Sequence, residues 1–269
     1  MIRVIGLGFL TLASGCVALD GAVPGERNLF NGRNLDGWYT YLRGRGKNCD
    51  PKGVFSVKDG VIHVTGEELG CITTEESFSN YVLSVEYRWL GTTYGFIKEK
   101  GRALDSGILF HSRGKDGGYS GTWMPCYEYN LVLGSSGELW TVGTKDIEYA
   151  YDVELSDEKV CGKYPIGKPG APKVRVSTSG LRCSCERWDI ARDWTDTRDV
   201  KPACNENPEG EWNECRLVCR GDEVECYFNG KLVNRASGLN ITSGRIQLQS
   251  EGCGIEFRNV RIKSLEGVK

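Results

Sequence analysis

Glu128 stands between two tyrosines in the stretch MPCYEYNLVL, residues 124–133, and Asn130 follows two residues later. Alternation with period two puts Tyr127, Tyr129 and Leu131 on one face of a strand and Glu128 and Asn130 on the other. A carboxylate beside an amide can move a proton, hold an oxygen-seeking cation or grip hydroxyls. Three further runs offer similar polar faces. YVLSVEYRWL offers Glu86 and Arg88; SGILFHS offers His111, with Leu109; GRIQLQSE offers Arg245, Gln247, Gln249 and Glu251, with Ile246 and Leu248 turned inward. If these runs share one sheet, its outer face carries carboxylates, an arginine, a histidine and amides. With Trp123 and Trp140 to stack on a ring, that is the chemistry of a carbohydrate site. The competing reading is that antiparallel sheets ordinarily expose polar residues on one face.

The elements that must position these residues read as short strands separated by turns. GVFSVKDGVIHVTG is a hairpin about Asp59-Gly60, and Asn229-Gly230 marks another. In NYVLSVEYRWL, residues Tyr81, Leu83, Val85, Tyr87 and Trp89 share one face. In ECRLVCRGDEVECYFNG, a turn at Gly221-Asp222 puts Cys215, Leu217, Cys219, Val224, Cys226 and Phe228 together as core fillers. Residues 156–211 break the rhythm and read as a long irregular excursion with a short helix near Trp188 to Trp194. No helices alternate with the strands, so the fold class is all-β, a sandwich of two antiparallel sheets.

Composition excludes some functions. The chain has 269 residues, 39% hydrophobic, with a formal net charge of −2, so no basic excess points to nucleic acid. The basic cluster LRGRGK reads as a solvated loop. The opening MIRVIGLGFLTLASGC reads as an export signal over 1–15, with LASGC resembling a lipobox and Cys16 as the lipid-modified residue. A linker over 16–26 follows. The expected location is periplasm or cell envelope, with membrane contact only through that anchor. Among the 12 cysteines, Cys161, Cys183, Cys185 and Cys204 are disulfide candidates. HExxH, GxSxG and P-loop patterns are absent. Only His63 and His111 exist, which excludes a multi-histidine zinc site, and His63 reads as a strand-surface or core residue. An oxygen-ligated divalent cation stays open.

The runs NLFNGRNLDGWYTYL, GVFSVKDGVIHVTG, LDSGILFHS, GTWMPCYEYNLVLGSSGELW, GEWNECRLVCRGDEVECYFNGKLVN and SGRIQLQSEGCGIEFRNVRIKSL, in this order, resemble the 3-keto-disaccharide hydrolase domain family. It is also called the 3-keto-glucoside 1,2-lyase/3-keto-2-hydroxy-glucal hydratase family. The resemblance covers residues 27–266 as a single domain. It implies a concanavalin A-like jelly roll. It also implies a small-molecule partner, a glycoside already oxidised to a ketone at C3. The ketone acidifies the C2 proton, so the bond at C1 can break by elimination, and water then adds to the glucal.

Such a site needs a base near C2, a positive group or metal near the ketone oxygen and a proton source for the leaving oxygen. The resemblance assigns Glu128 as base or metal ligand and His111 as the rival base. Arg88, Lys98 and Arg102 are candidates to stabilise the enolate oxygen. Asp105, Asn130, Gln249, Glu251 and Trp123 are substrate contacts, and Asp105, Glu128 and Glu251 are the candidate cation ligands. The chain has Asp105 where the family often has Asn, and Glu251 where many members have His. Glycosidase chemistry on an unoxidised sugar, and a non-catalytic carbohydrate-binding module, are the alternatives.

Overall fold

A computed structural model describes residues 25–154, 170–180, 184–185, 187 and 205–265. The export segment 1–15, Cys16 and most of the linker lie outside the described residues. So do Cys161, Cys183, Cys204 and the segment 188–194 expected to be helical. In chain order the strands are β1 (Glu26–Asn28), β2 (Trp38–Leu42), β3 (Gly46–Lys47), β4 (Phe55–Lys58), β5 (Val61–Val64), β6 (Gly70–Thr74), β7 (Phe78–Ser79), β8 (Tyr81–Thr93), β9 (Asp105–Ser112), β10 (Cys126–Val132), β11 (Glu138–Val142), β12 (Ala150–Glu154), β13 (Lys173–Ser177), β14 (Ser184–Cys185), β15 (Asn213–Arg220), β16 (Glu223–Phe228), β17 (Lys231–Ala236), β18 (Ser243–Ser250) and β19 (Cys253–Ser264). The short helix α1 (Gly95–Lys100) lies between β8 and β9. No described helix is long and apolar enough to cross a membrane.

Two large antiparallel sheets form a jelly-roll sandwich. One runs β17-β16-β15-β8-β19-β5-β4, with β1 on β19. The other runs β14-β11-β10-β9-β18-β6-β2-β3, with β7 on β18. The Asp59-Gly60 and Asn229-Gly230 hairpins form as expected; all four residues have positive φ, as a tight two-residue hairpin requires. The excursion is less irregular than its sequence suggests. KVRVS alternates, and β13 pairs along its whole length with β12. Cys185 is buried and accepts a hydrogen bond from the Tyr151 hydroxyl at 3.2 Å.

Alternation builds the core. From β8, Tyr81, Leu83, Val85, Tyr87 and Trp89 all point between the sheets and are buried. They meet Ile108 and Phe110 of β9, Tyr127, Tyr129 and Leu131 of β10, and Ile246 and Leu248 of β18. Cys215, Cys219 and Cys226 are buried free thiols that fill this core. Each buried tyrosine needs a partner for its hydroxyl. Tyr127 donates to Ala150 O at 2.9 Å, and Tyr129 donates to Tyr227 O at 3.1 Å. These two bonds fix the roll of β10 and so decide where Glu128 points.

The outer face of the nine-stranded sheet is not a solvated face. Cys71, Leu109, Trp123, Cys126 and Val142 form a second apolar cluster on it. The connection from Arg113 to Pro125 covers this cluster. It is held by Tyr39 donating to Asp116 Oδ1 at 2.8 Å and by the Trp123 indole donating to Gly70 O at 3.1 Å. The uncovered part of the same face forms a cleft.

Candidate active site

Strands β9, β10, β11 and β18 lie side by side and project Asp105, Glu128, Asn130, Trp140 and Gln249 into one cleft of about 430 Å³. Cross-strand register places them. Asn130 faces Gly107 on β9 and Glu138 on β11, and one step along, Glu128 faces Leu109 and Trp140. The link from β8 to β9 folds over the mouth and brings Phe96 and Arg102. Its helix is anchored where Tyr94 N donates to the carbonyl of Gly252, at 2.7 Å. Beside that turn, Cys253 Sγ donates to Asp105 O at 2.9 Å, which sets Asp105 next to the Glu251 turn. Tyr119 and Trp123 form the opposite wall, stacked with ring centroids 6.3 Å apart and 22° between planes.

The carboxyl groups here are perturbed together. Glu128 is only 8% exposed. Its burial, then the like charge of Asp105, lift its pKa to about 8; a Gln249 hydrogen bond opposes the rise and Glu138 adds to it. Burial, then Asp105 and Glu128, push Glu251 well above the carboxylate range. Arg102 is the only basic side chain among the described residues lining the cleft. Its guanidinium lies over the Phe96 ring, 5.7 Å from the centroid. Gln249 Oε1 is buried and has no hydrogen-bond donor beside it. Gly107 makes room for both reaching side chains: a methyl there would collide with Glu128 Oε1 and lie 2.6 Å from Gln249 Oε1. Asp105, Glu128 and Glu251 share the cleft as expected. Among the described residues, however, no three His, Cys, Asp or Glu side chains are grouped so that they could hold a metal ion.

A family model of the 3-keto-alpha-glucoside-1,2-lyase-like domain matches residues 25–263. The chain belongs to this family. Membership places this lyase-like domain among carbohydrate-active proteins. No curated protein matches it in sequence. Among solved structures, a Parabacteroides distasonis ATCC 8503 protein provisionally assigned as a glycosyl hydrolase superposes with a TM-score of 0.52 at 21% identity, covering 90% of this chain and 94% of that one. A second such protein from the same organism gives 0.48 at 18% identity, over 89% and 99%. The carbohydrate-binding module CBM66 of Bacillus subtilis gives 0.43 at 13% identity, over 85% and 96%. The first likeness is one of fold.

The cleft gathers Arg102, Asp105, Trp123, Glu128, Asn130, Gln249 and Glu251, and leaves out three residues that the sequence proposes for it. His111 is one. Arg245 pairs with Ser112 but Gln247 with Leu109, so β9 carries one extra residue opposite β18. His111 takes it up at φ 51° and turns into the core, edge-on to the Tyr81 ring at 5.7 Å. Its Nδ1 donates to Ile241 O at 3.1 Å, and burial lowers its pKa to about 4. It is a neutral packing residue.

Arg88 is the second. Its strand β8 belongs to the other sheet, where Arg88 pairs with Glu256 at 2.6 Å and lies over Trp212. His63 also contacts Glu256, at 3.0 Å, as a strand-surface residue. Lys98 is the third. It points away from the cleft on the exposed side of α1. Arg88→Gln is therefore expected to leave glycoside turnover unchanged and to cost about 1–2 kcal/mol, since Glu256 is buried but keeps His63 as a partner. Steady-state kinetics and a urea melt check this.

Sequence reasoning missed Phe96, Tyr119, Glu138 and Thr178. Glu138 is buried, accepts from Ser135 Oγ at 2.8 Å and from Asn130 Nδ2 at 3.3 Å, and so orients Asn130. Parity could have found it, because Glu138 and Trp140 alternate opposite Asn130 and Glu128. Phe96, Tyr119 and Thr178 arrive on connections, where no periodicity marks them.

Proposed function

We propose that the cleft cleaves the glycosidic bond of 3-keto-glycosides by elimination followed by hydration. The observation that carries this reading is the pairing of Glu128 and Glu251 in one cleft, both held above the ordinary carboxylate range. Abstracting a proton from carbon asks for a stronger base than an ordinary carboxylate, and a carboxyl titrating near 8 is one at working pH. Glu128 takes the C2 proton. Negative charge develops on the C3 oxygen, and Arg102 is the positive group available to it. Glu251, still protonated, donates to the leaving oxygen as the C1–O bond breaks. The products are a 2-hydroxy-glucal ketone and the free alcohol. In the second half, Glu251 removes a proton from water as it attacks C1, and Glu128 returns its proton to C2. Both carboxyls end as they began. Gln249 and Asn130 hold hydroxyls. A binding-only module needs no recessed cluster of like charges, whose cost in stability is tolerated where it serves a reaction. The LASGC motif would place this activity in the periplasm or cell envelope, anchored at Cys16.

The test is purified protein with 3-keto and unoxidised forms of the same disaccharides, following glucal absorbance and free sugar. Cleavage is expected only of the keto forms. Turnover should rise toward about pH 8 as Glu128 ionises and fall again once Glu251, the acid, loses its proton in turn. Equal cleavage of the unoxidised sugars, or a flat profile across pH 6–9, overturns the assignment.

A further inference from the structure

The cleft is graded in polarity along its strands, and Glu128 sits at the boundary. On β11, β10 and β9 the row through Glu138, Asn130 and Gly107 is polar. The next row is Trp140, Glu128 and Leu109. Beyond it Val142 pairs with Cys126. The acidic side chains and Arg102 thus gather at the Asp105 end. At the Val142 end the lining is Tyr119, Trp123, Trp140, Val142 and Gly143, with Thr178.

Among the described residues, the indole groups at that end are engaged: Trp123 N–H donates to Gly70 O and Trp140 N–H to Glu138 Oε2 at 3.5 Å, while Thr178 Oγ1 accepts from Tyr149 N at 3.2 Å. What this end presents is ring faces and aliphatic surface. A second sugar ring placed there would bring hydroxyls that must give up water for few partners, which is penalised. A flat aromatic group would bury its apolar surface against Tyr119, Trp140 and Val142 without that loss.

We propose that this end is an aglycone subsite for aromatic leaving groups, so that the substrates are glycosides of aryl or arylalkyl alcohols in preference to disaccharides. The orientation of the sugar, with its keto ring at the Asp105 end, rests on the cleavage reading above; the ring-binding subsite does not.

The test compares 2-phenylethyl glucoside, 2-cyclohexylethyl glucoside and a glucosyl-glucose disaccharide. The first two leave as alcohols of nearly equal acidity, so any difference reports ring shape and not leaving-group chemistry. Unoxidised forms are measured by calorimetry, and 3-keto forms by turnover. Phenylethyl is expected to bind at least tenfold more tightly than either competitor, with the same order in KM. Tyr119→Ala should remove most of that preference and Tyr119→Phe should keep it; Tyr119 is 38% exposed, so its loss spares the fold. Equal binding of the three, tighter disaccharide binding, or a preference that survives Tyr119→Ala each overturns the subsite. A phenylethyl preference in binding with no cleavage of any keto form sustains the subsite and overturns the cleavage reading instead.

Discussion

Glu128→Gln is expected to lower turnover of a 3-keto-glycoside by about 10³-fold, within the range that a positioned base supplies, and at the same time to stabilise the protein at high pH. The two effects share one cause. Glu128 is buried against Asp105 and Glu138, and its pKa rises from 4.5 to about 8. A carboxyl raised on folding contributes fully below its unfolded pKa, and that contribution is lost as pH climbs through the folded value. Between about pH 4.5 and 8 the folded protein therefore holds a proton that the unfolded chain releases, and stability drains away across that window. The glutamine variant carries no such charge. Its amide can also donate to Gln249 Oε1, which has no donor of its own. The full linkage ceiling is about 5 kcal/mol; with Asp105 and Glu251 sharing the relief, about 2 kcal/mol at pH 9 is the expected gain, or roughly 4–8 °C in Tm for a chain of this size. At pH 5 the two proteins should melt together. Thermal melts at pH 5, 7 and 9 beside single-substrate kinetics decide it. A variant that is inactive but no more stable at pH 9 removes the buried-charge account of Glu128, and one that is stabilised but fully active removes Glu128 from the chemistry.

Much of the strand architecture was legible because burial on one face forces period two. Tyr81 to Trp89 and Cys215 to Phe228 follow it without exception, and Tyr127 and Tyr129 follow it closely enough to aim Glu128 correctly. The same rule failed at His111 for a reason it cannot contain. One extra residue in β9 shifts the parity of everything after it, and a bulge leaves no fixed signature in composition. Arg88 failed differently. Its parity was read correctly, but parity says which face and not which sheet; that depends on pairings between residues far apart in the chain, such as Arg88 with Glu256. Phe96, Tyr119 and Thr178 belong to connections whose course is set by contacts such as Tyr94 N to Gly252 O, so their place in the cleft follows from tertiary structure alone. Periodicity offered the convergence of Glu128, Gln249 and Glu251 only on the condition that their strands share a sheet, and the resemblance to a known family supplied the roles they would play there.

Gly107→Ala is expected to cut turnover at least 100-fold while the fold survives nearly intact. Gly107 lies within β9, opposite Asn130 of β10 and beside the Gln249 side chain of β18. Its φ is not in the positive region, so alanine meets no backbone strain there. The obstruction is on the side-chain side. An added methyl would stand where Glu128 Oε1 and Gln249 Oε1 now reach, while no backbone atom is among its near contacts. Flexible side-chain ends can move aside cheaply, so the loss in stability should stay near 1 kcal/mol, and removing glycine from a strand offsets part of it. The loss in activity should not be cheap. Displacing a reacting carboxylate by about 1 Å can cost 100-fold, and here the base and the amide that bonds it move together. A double-mutant cycle separates this from a diffuse effect. If Gly107 acts by leaving space for Glu128, then Gly107→Ala placed on Glu128→Gln should add little further loss, since the group it displaces has already lost its function. Full additivity of the two losses would mean that the methyl harms the site by another route, through Asn130 or through the backbone pairing of β9 with β18.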